Sequence, residues 1–499
     1  MRGSFPWFAL AARIGGMSKT YGNFIDGQWT ASSTDRTFAV HNPAHKNEVL
    51  AHFPASGASD VNRAVDAAAA ALGEWSRTSA IKRGGYLRKA AEILARRRDE
   101  AAKLLTREEG KPLFEARGEV DRGVGLLEFY AGQGPILGGE TFPSGIEGRF
   151  LYTLRSPLGV VAMITPWNFP SAIPICKTAP ALLCGNTVVL KPASLAPVSA
   201  ALFGECLSEA GLPAGVFNVV TGSGQEAGEA LVGDGRIRAI SFTGSYETGR
   251  SIMRKAAERL IRIGLEMGGK NPHIVMDDAD LDRAVNDCTV GAFWGSGHKC
   301  TACSRAIVLE GVYDAFVEKL VKRTAEIRVG DPLLAETQVG PVIDENQLDS
   351  ILRYIEIGRG EGAKLAIGGT RLRGGIYDEG WYMAPAVFTE VTPRMRIAQE
   401  EIFGPVLAVM KARSFEEAIG IANDIEYGLA GSISTRSLLH SLEFARRIDA
   451  GVVHVNSPTA GLELQMPFGG WKHSTSGYRE MGKSAIEFYT QIKTVYVDA

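Results

Sequence analysis

The chain is predicted to be an α/β protein with two units, each carrying a mainly parallel sheet covered on both faces. Three observations predict this. From Gly159, five short β-branched runs alternate with helical segments such as APVSAALFGECLSEAG; the runs are GVVAMIT, TVVLKP, VFNVVTG, RAISFTG and IRIGLEMGG. Alternation at this spacing is the mark of parallel sheets. A second alternating region opens near Pro272 with PHIVMDD and continues through AIVLE, AKLAIGG, VLAVMKA and GVVHVN. Finally, 499 residues exceed what one ordinary core accommodates.

Taken in order, the N-terminal MRGSFPWFALAARIGG has an apolar part, residues 5–10, too short for a signal-peptide core, and no A-x-A site follows. Residues 1–17 therefore read as an extension, with Met17 as a second candidate start. Residues 60–132 read as helices. DVNRAVDAAAAALGEW opens on Asp60 as N-cap. SAIKRGGYLRKAAEILARRRDEAAKLLTREEGKP has helical apolar spacing and stops at Gly110 and Pro112, its charges forming a solvated face. The alternating regions follow. The C-terminal IKTVYV alternates like an exposed strand, which calls for a partner and suggests pairing between subunits.

Composition narrows the function. The chain is 45% hydrophobic and 22% charged, with 54 basic and 56 acidic residues. No basic stripe suggests nucleic acid, and no apolar run is long enough for a membrane span. Six cysteines are sparse, and Cys176, Cys184, Cys206 and Cys288 lie in apolar runs. Buried thiols in a reducing, cytoplasmic setting fit better than a disulfide framework.

Ligands in parallel sheets bind beyond the carboxyl ends of strands. There PWNFP stiffens Trp167 and Asn168 between two prolines, and a rigid amide is suited to holding an oxyanion or, more commonly, to satisfying backbone. FTGS puts Gly244 and Ser245 at a helix N-terminus, a natural phosphate site or a plain turn. TGSGQEAG has the wrong glycine spacing for a dinucleotide fingerprint and reads as a turn. Glu266 ends the fifth strand, either as a base of raised pKa or as a partner of Lys270. The segment WGSGHKCTACSR carries Cys300 and Cys303. One C-x-x-C pair is half of a zinc site, with His298 a poor third ligand, and no metal is expected. A redox pair suits a small βαβ domain better than this length. A nucleophile on a glycine-rich loop, with Asn168 and Glu266 converging on it, ranks first.

Seven motifs in order, TPWNFP, LKPA, FTGS, LEMGGKNP, CTA, EEIFGPV and PFGGWKHS, resemble the aldehyde dehydrogenase superfamily from about Tyr21 to the C-terminus. The resemblance implies Cys300 as nucleophile, with Cys303 packing beside it. Asn168 and the Cys300 N–H then form the oxyanion hole, and Glu266 is the hydrolytic base. NAD or NADP would meet Lys191, Ser194, Gly244, Ser245, Trp167, Glu401 and Phe403. Ser457 and Thr459 would lie in the substrate-anchoring loop.

It further implies a Rossmann-like cofactor domain (18–136 and 156–266), an α/β catalytic domain (267–479) and a small β oligomerisation arm (137–155 and 480–499). A homodimer or homotetramer acting on a small aldehyde is expected. The segments VNSPTAG and PFGGWKHSTSGYREMGKSAIEFYT are most similar to α-ketoglutarate semialdehyde (2,5-dioxopentanoate) dehydrogenases. Other semialdehydes such as succinate semialdehyde, aromatic aldehydes and a silent binding protein on this fold stay open. The chain departs from the family pattern at His298 (often glutamine), Gly295 (often asparagine) and Ser194 (often glutamate). With serine there, NADP is expected to be accepted alongside NAD.

Overall fold

A computed structural model describes residues 19–498, so the expected extension over 1–17 lies outside the described residues. All five runs after Gly159 form strands of one seven-stranded sheet. Its order is Arg262–Glu266, Ile237–Thr243, Val160–Ile164, Thr187–Lys191 and Phe217–Val219, all parallel, and then the antiparallel hairpin Asn23–Ile25 and Gln28–Thr30. Val161, Ala162, Met163, Val188, Val189 and Leu190 are fully buried, as strands covered on both faces require. Strand order reverses beside Val160–Ile164, and a sheet of this kind opens a crevice at such a switch point. The loops leaving its two sides are PWNFP and FTGS.

The second sheet runs Lys364–Ile367, Ala386–Thr389, Val406–Ala412, Cys303–Leu309, Asn271–Val275, Ala430–Ser434 and Val452–Val455, parallel except for the first. Ala386–Thr389 and Ala430–Ser434 escape the sequence reading because AVFT and AGSIS are short and weakly patterned. The carboxyl ends of the first sheet meet the segment that enters Cys303–Leu309 in the second. That junction holds the candidate site.

A third sheet pairs Thr490–Asp498 antiparallel with Arg149–Pro157, which also pairs with Thr141–Phe142. Thr490–Asp498 is thus an edge, with Ile492 and Tyr496 each 63% exposed. The run 480–499 expected in the arm is not all arm. Its helix Ser484–Tyr489 buries Ala485, Ile486, Phe488 and Tyr489 in the core of the first sheet.

Two helix boundaries differ from expectation. The first helix is Ala58–Arg77, with Gly57 as N-cap. Asp60 lies inside the first turn, buried, accepting bonds from Ser32 Oγ (2.7 Å) and the Ser33 N–H (3.0 Å), so it anchors a loop rather than caps. The long basic stretch splits at Arg97 into Ala80–Arg96 and Arg98–Glu109. It ends as expected at Gly110, whose φ of 95° suits glycine. TGSGQEAG is a turn only in its first part: Ser223 caps the Glu226 N–H, and Gly224–Gly228 forms a π-helical stretch that runs directly into helix Glu229–Gly233.

Candidate active site

Cys300 lies in residues 294–302, between helix Leu281–Phe293 and strand Cys303–Leu309. Three successive residues, Gly295, Ser296 and Gly297, have left-handed backbone (φ 62°, 53° and 70°). A Cβ on Gly297 would lie 2.2 Å from the Gly404 carbonyl oxygen, so the approach demands glycine. The strain at Ser296 is offset by its hydroxyl, which bonds the carbonyls of Gly340 and Pro341 at 3.0 Å.

Three side chains hold the rest of the loop. Glu115 accepts from the Gly295 N–H (2.7 Å) and Lys299 Nζ (2.9 Å). Asn271 Nδ2 donates to the carbonyls of Cys300 (2.8 Å) and Ala302 (2.9 Å). Thr459, fully buried, donates its hydroxyl to the Thr301 carbonyl at 2.6 Å. Thr459 therefore supports the loop from behind instead of offering a free donor to substrate.

The two cysteines have opposite surroundings. Cys300 is partly exposed, and the N–H groups of Cys300 and Thr301 face its sulfur. Burial, with Glu401 and Glu266 nearby, pushes its pKa up to about 12. Cys303 is 1% exposed in the second core, where its sulfur lies within 4.8 Å of ligand-type atoms of His273 and Cys288.

Asn168 is buried, and its Nδ2 donates to the His298 carbonyl at 2.8 Å. Its own carbonyl accepts from Lys111 Nζ (2.7 Å), which also bonds Glu119 (2.7 Å). Glu119 in turn accepts the N–H groups of Ser171 (2.9 Å) and Ala172 (3.0 Å). The rigidity that PWNFP suggests thus comes from a buried ion pair as much as from its prolines. The His298 ring packs edge-on to Trp167 (centroids 4.7 Å) and parallel to Phe403 (5.8 Å). Burial and the nearby Lys111 hold its pKa down at about 3, so the imidazole is neutral, and Nε2 has no partner.

Glu266 is 3% exposed. Its Oε2 accepts from Thr475 Oγ1 at 3.0 Å, while Oε1 has no partner. Burial, reinforced by Glu480, raises its pKa well above the carboxylate range. Pairing with Lys270 is not seen: Lys270 Nζ is unpartnered, its pKa lowered to about 7 by burial. Lys177 lies behind Glu266 instead, bonded to Glu480 and to Ser241 Oγ (3.0 Å).

At the crevice, Lys191 Nζ bonds, among the described residues, only the neighbouring Pro192 carbonyl (3.1 Å), its pKa held down at about 8 by burial. Ser194 donates to the Gly222 carbonyl at 2.9 Å. The Gly244 N–H donates to the Glu266 carbonyl (3.0 Å), and Ser245 caps helix Tyr246–Glu258. Glu401 accepts the Gly269 N–H at 3.2 Å, its pKa raised to about 7 by burial. A Cβ on Gly268 would lie 2.0 Å from Glu401 Oε2, so the bare backbone there admits the carboxylate. Ser457 accepts Ser432 Oγ on its carbonyl (2.6 Å) and lies 3.4 Å from His454 Nδ1.

The sequence pattern of the aldehyde dehydrogenase family matches residues 29–495. The chain belongs to the aldehyde dehydrogenase family. It is 49% identical over 478 residues to the α-ketoglutaric semialdehyde dehydrogenase of Bacillus subtilis, covering 96% of this chain and 98% of the relative. It is 46% identical to the α-ketoglutarate semialdehyde dehydrogenase of Haloferax volcanii, over 95% of this chain and 98% of that one. A betaine aldehyde dehydrogenase from Staphylococcus aureus, solved with NAD+, superposes with a TM-score of 0.93 at 35% identity, over 96% of this chain and 95% of that one.

In this aldehyde dehydrogenase the crevice suits a dinucleotide. It offers a nearly unpartnered buried lysine, a helix N-terminus for phosphate and a buried carboxylate for ribose hydroxyls. Lys111, Glu119, Glu115, Asn271, Lys177, Thr475 and Glu480 complete the site and were missed by the sequence reading. Their local motifs carry no chemical signature, and only the meeting of distant segments gives them partners. Among the described residues, no helix is long and apolar enough to cross a membrane.

Proposed function

We propose that the chain oxidises α-ketoglutarate semialdehyde to 2-oxoglutarate, with NAD or NADP as hydride acceptor. The observation that carries the reading is the convergence of a partly exposed thiol, a fixed amide and a buried carboxylate of raised pKa at the edge of a dinucleotide crevice. The names of the relatives support the substrate.

Cys300 Sγ, once deprotonated, attacks the aldehyde carbon and forms a thiohemiacetal. The oxygen gains negative charge within reach of the Cys300 N–H and the second N–H of Asn168 Nδ2, whose first is used by His298. Bound NAD(P)+ would supply the acceptor for the hydride that leaves this carbon, and loss of that hydride leaves Cys300 carrying a thioester. Glu266 removes a proton from water, the hydroxyl adds to the thioester carbon, and the C–S bond breaks to release the acid. The fixed Oε2 and free Oε1 of Glu266 suit that proton transfer. Lys191, Ser194, Gly244, Ser245 and Trp167 would hold the dinucleotide, and Glu401 and Phe403 its nicotinamide end. Ser457 would lie in the substrate-anchoring loop.

The assignment of 18–136 and 156–266 to cofactor binding, 267–479 to catalysis and 137–155 with the strand Thr490–Asp498 to an arm belongs to the same reading. The bare edge Thr490–Asp498 supports a homodimer or homotetramer, which light scattering on the purified protein tests. A cytoplasmic location fits the buried thiols.

The function is tested by kcat/KM for α-ketoglutarate semialdehyde, succinate semialdehyde, pentanal and benzaldehyde with each cofactor. A ranking headed by α-ketoglutarate semialdehyde supports the reading. A preference for neutral aromatic aldehydes overturns it.

A further inference from the structure

Helix Leu113–Gln133 presents Glu115, Glu119 and Arg122 at i, i+4 and i+7, one stripe of its surface. Each serves a different wall of the site. Glu115 holds the nucleophile loop, and Glu119 holds the chain just after Asn168. Arg122 reaches the third wall, the loop 456–466, where it donates to the Leu462 carbonyl. The helix is pressed against both neighbours here. A Cβ on Gly123 would lie 2.7 Å from Ile175 Cδ1, and one on Gly125 would lie 2.6 Å from Leu464 Cδ1.

Arg122 differs from the paired lysines around the site and shares its lack of an ion pair with Arg479, which donates to the Gly470 carbonyl. Lys111 is paired with Glu119, Lys177 with Glu480 and Lys299 with Glu115. Arg122 is half-buried, and its guanidinium has no ion pair of hydrogen-bonding length among the described residues. Its electrostatic neighbours are the Cys176 thiol, Glu119 and the exposed Glu463. Arg122 shares a helix face with Glu119, which binds the N–H groups of Ser171 and Ala172 just after Asn168, and it reaches the loop whose Thr459 bonds the Thr301 carbonyl. Four of its five N–H donors are therefore uncommitted.

We propose that Arg122 binds the substrate carboxylate remote from the aldehyde, making this a site for short ω-oxo carboxylates. The inference rests on the reading that aldehydes react at Cys300. A guanidinium offers two parallel N–H groups in the geometry of a carboxylate, and partial removal from water strengthens the pair. A neutral aldehyde leaves the same half-buried charge facing only a carbonyl. Discrimination thus arises from an unmet cation as well as from a new bond. Thr459, spent on Thr301, is not needed for this contact.

The experiment compares kcat/KM for α-ketoglutarate semialdehyde and for pentanal, which has the same number of carbons, in wild type, Arg122→Met, Arg122→Lys and Arg479→Met. Arg479 is the control, an arginine beside Glu266 that donates to the Gly470 carbonyl. The ratio of the two efficiencies should fall about 10- to 100-fold in Arg122→Met, the loss of a charge-assisted bond, with most of the change in KM. Arg122→Lys should recover part of it, since charge returns without the fork. Burst titration of active sites normalises each variant, so a folding loss does not mimic the result, and Arg122→Lys carries the test if Arg122→Met is unstable. A wild-type preference that survives both Arg122 variants, or vanishes only in Arg479→Met, overturns the assignment to Arg122. A wild type with no preference for the carboxylated aldehyde overturns the proposed function itself.

Discussion

Asn168 Nδ2 donates to the backbone carbonyl of His298 at 2.8 Å, tying the amide of one sheet's loop to the nucleophile loop of the other. The bond fixes the distance between the proposed oxyanion donor and Cys300, two residues on. The residue is held at a second point as well, since its own backbone carbonyl accepts from Lys111.

The first prediction separates the two cysteines. Cys300→Ser should abolish aldehyde oxidation, because a serine hydroxyl at this site has no comparable nucleophilicity. Cys303→Ala should retain most of the rate and lose about 1–2 kcal/mol of stability, as expected for trimming a small buried side chain. Steady-state rates and denaturant titration check both. A dead Cys303→Ala protein that remains folded would reverse the assignment.

A second prediction concerns Glu266 and Thr475. Glu266→Gln should form one equivalent of reduced cofactor per site and then stall as the thioester. In the wild type the raised pKa puts the acid limb of the hydrolytic step above the usual carboxylate range, with the rate rising as pH rises through it. The Thr475 hydroxyl stabilises the charged form, so Thr475→Val should raise the pKa further and move that limb to higher pH. Loss of a bond to a charged group, about 1.5–3 kcal/mol, corresponds to roughly one to two pH units. Single-turnover pH profiles read this shift; a limb that does not move removes Thr475 from the role.

Lys111 gives a third. Lys111→Met leaves Glu119 buried without its cation and frees the Asn168 carbonyl. The expected cost is about 3–5 kcal/mol of folding stability. A displaced amide should also slow acylation by up to about 100-fold. Chemical denaturation and burst rates measure the two effects separately. Normal burst rates in a destabilised protein would confine Lys111 to a structural role.

The fourth concerns cofactor choice. Ser194 donates to the Gly222 carbonyl and carries no charge, while Lys191 lies three residues before it. A glutamate at 194 would face a 2′-phosphate with like charge, so Ser194→Glu should lower kcat/KM for NADP+ far more than for NAD+. Water screens such a contact, so acceptance of both cofactors is expected in the wild type rather than exclusivity. An equal effect on both cofactors would exclude Ser194 as the discriminator.

The sequence by itself determined most strands of the two large sheets and the candidate side chains at their ends. Val160–Ile164 and Thr187–Lys191 are legible because a strand buried on both faces must be a continuous apolar run. Asn168, Glu266 and Cys300 are legible because their types stand out in the loops that such runs leave behind. The tertiary structure alone decided which of them are held, and by what. Lys111, Glu119, Thr475 and Lys177 are ordinary residues until folding brings separate segments within a hydrogen bond, 57 positions apart for Lys111 and Asn168 and 209 for Glu266 and Thr475. It likewise decided that Lys270 is no partner of Glu266, that Thr459 serves the loop and that Arg122 is left without a carboxylate. Spacing along a chain records backbone periodicity, whereas the pairing of a buried charge depends on every segment that meets it in space.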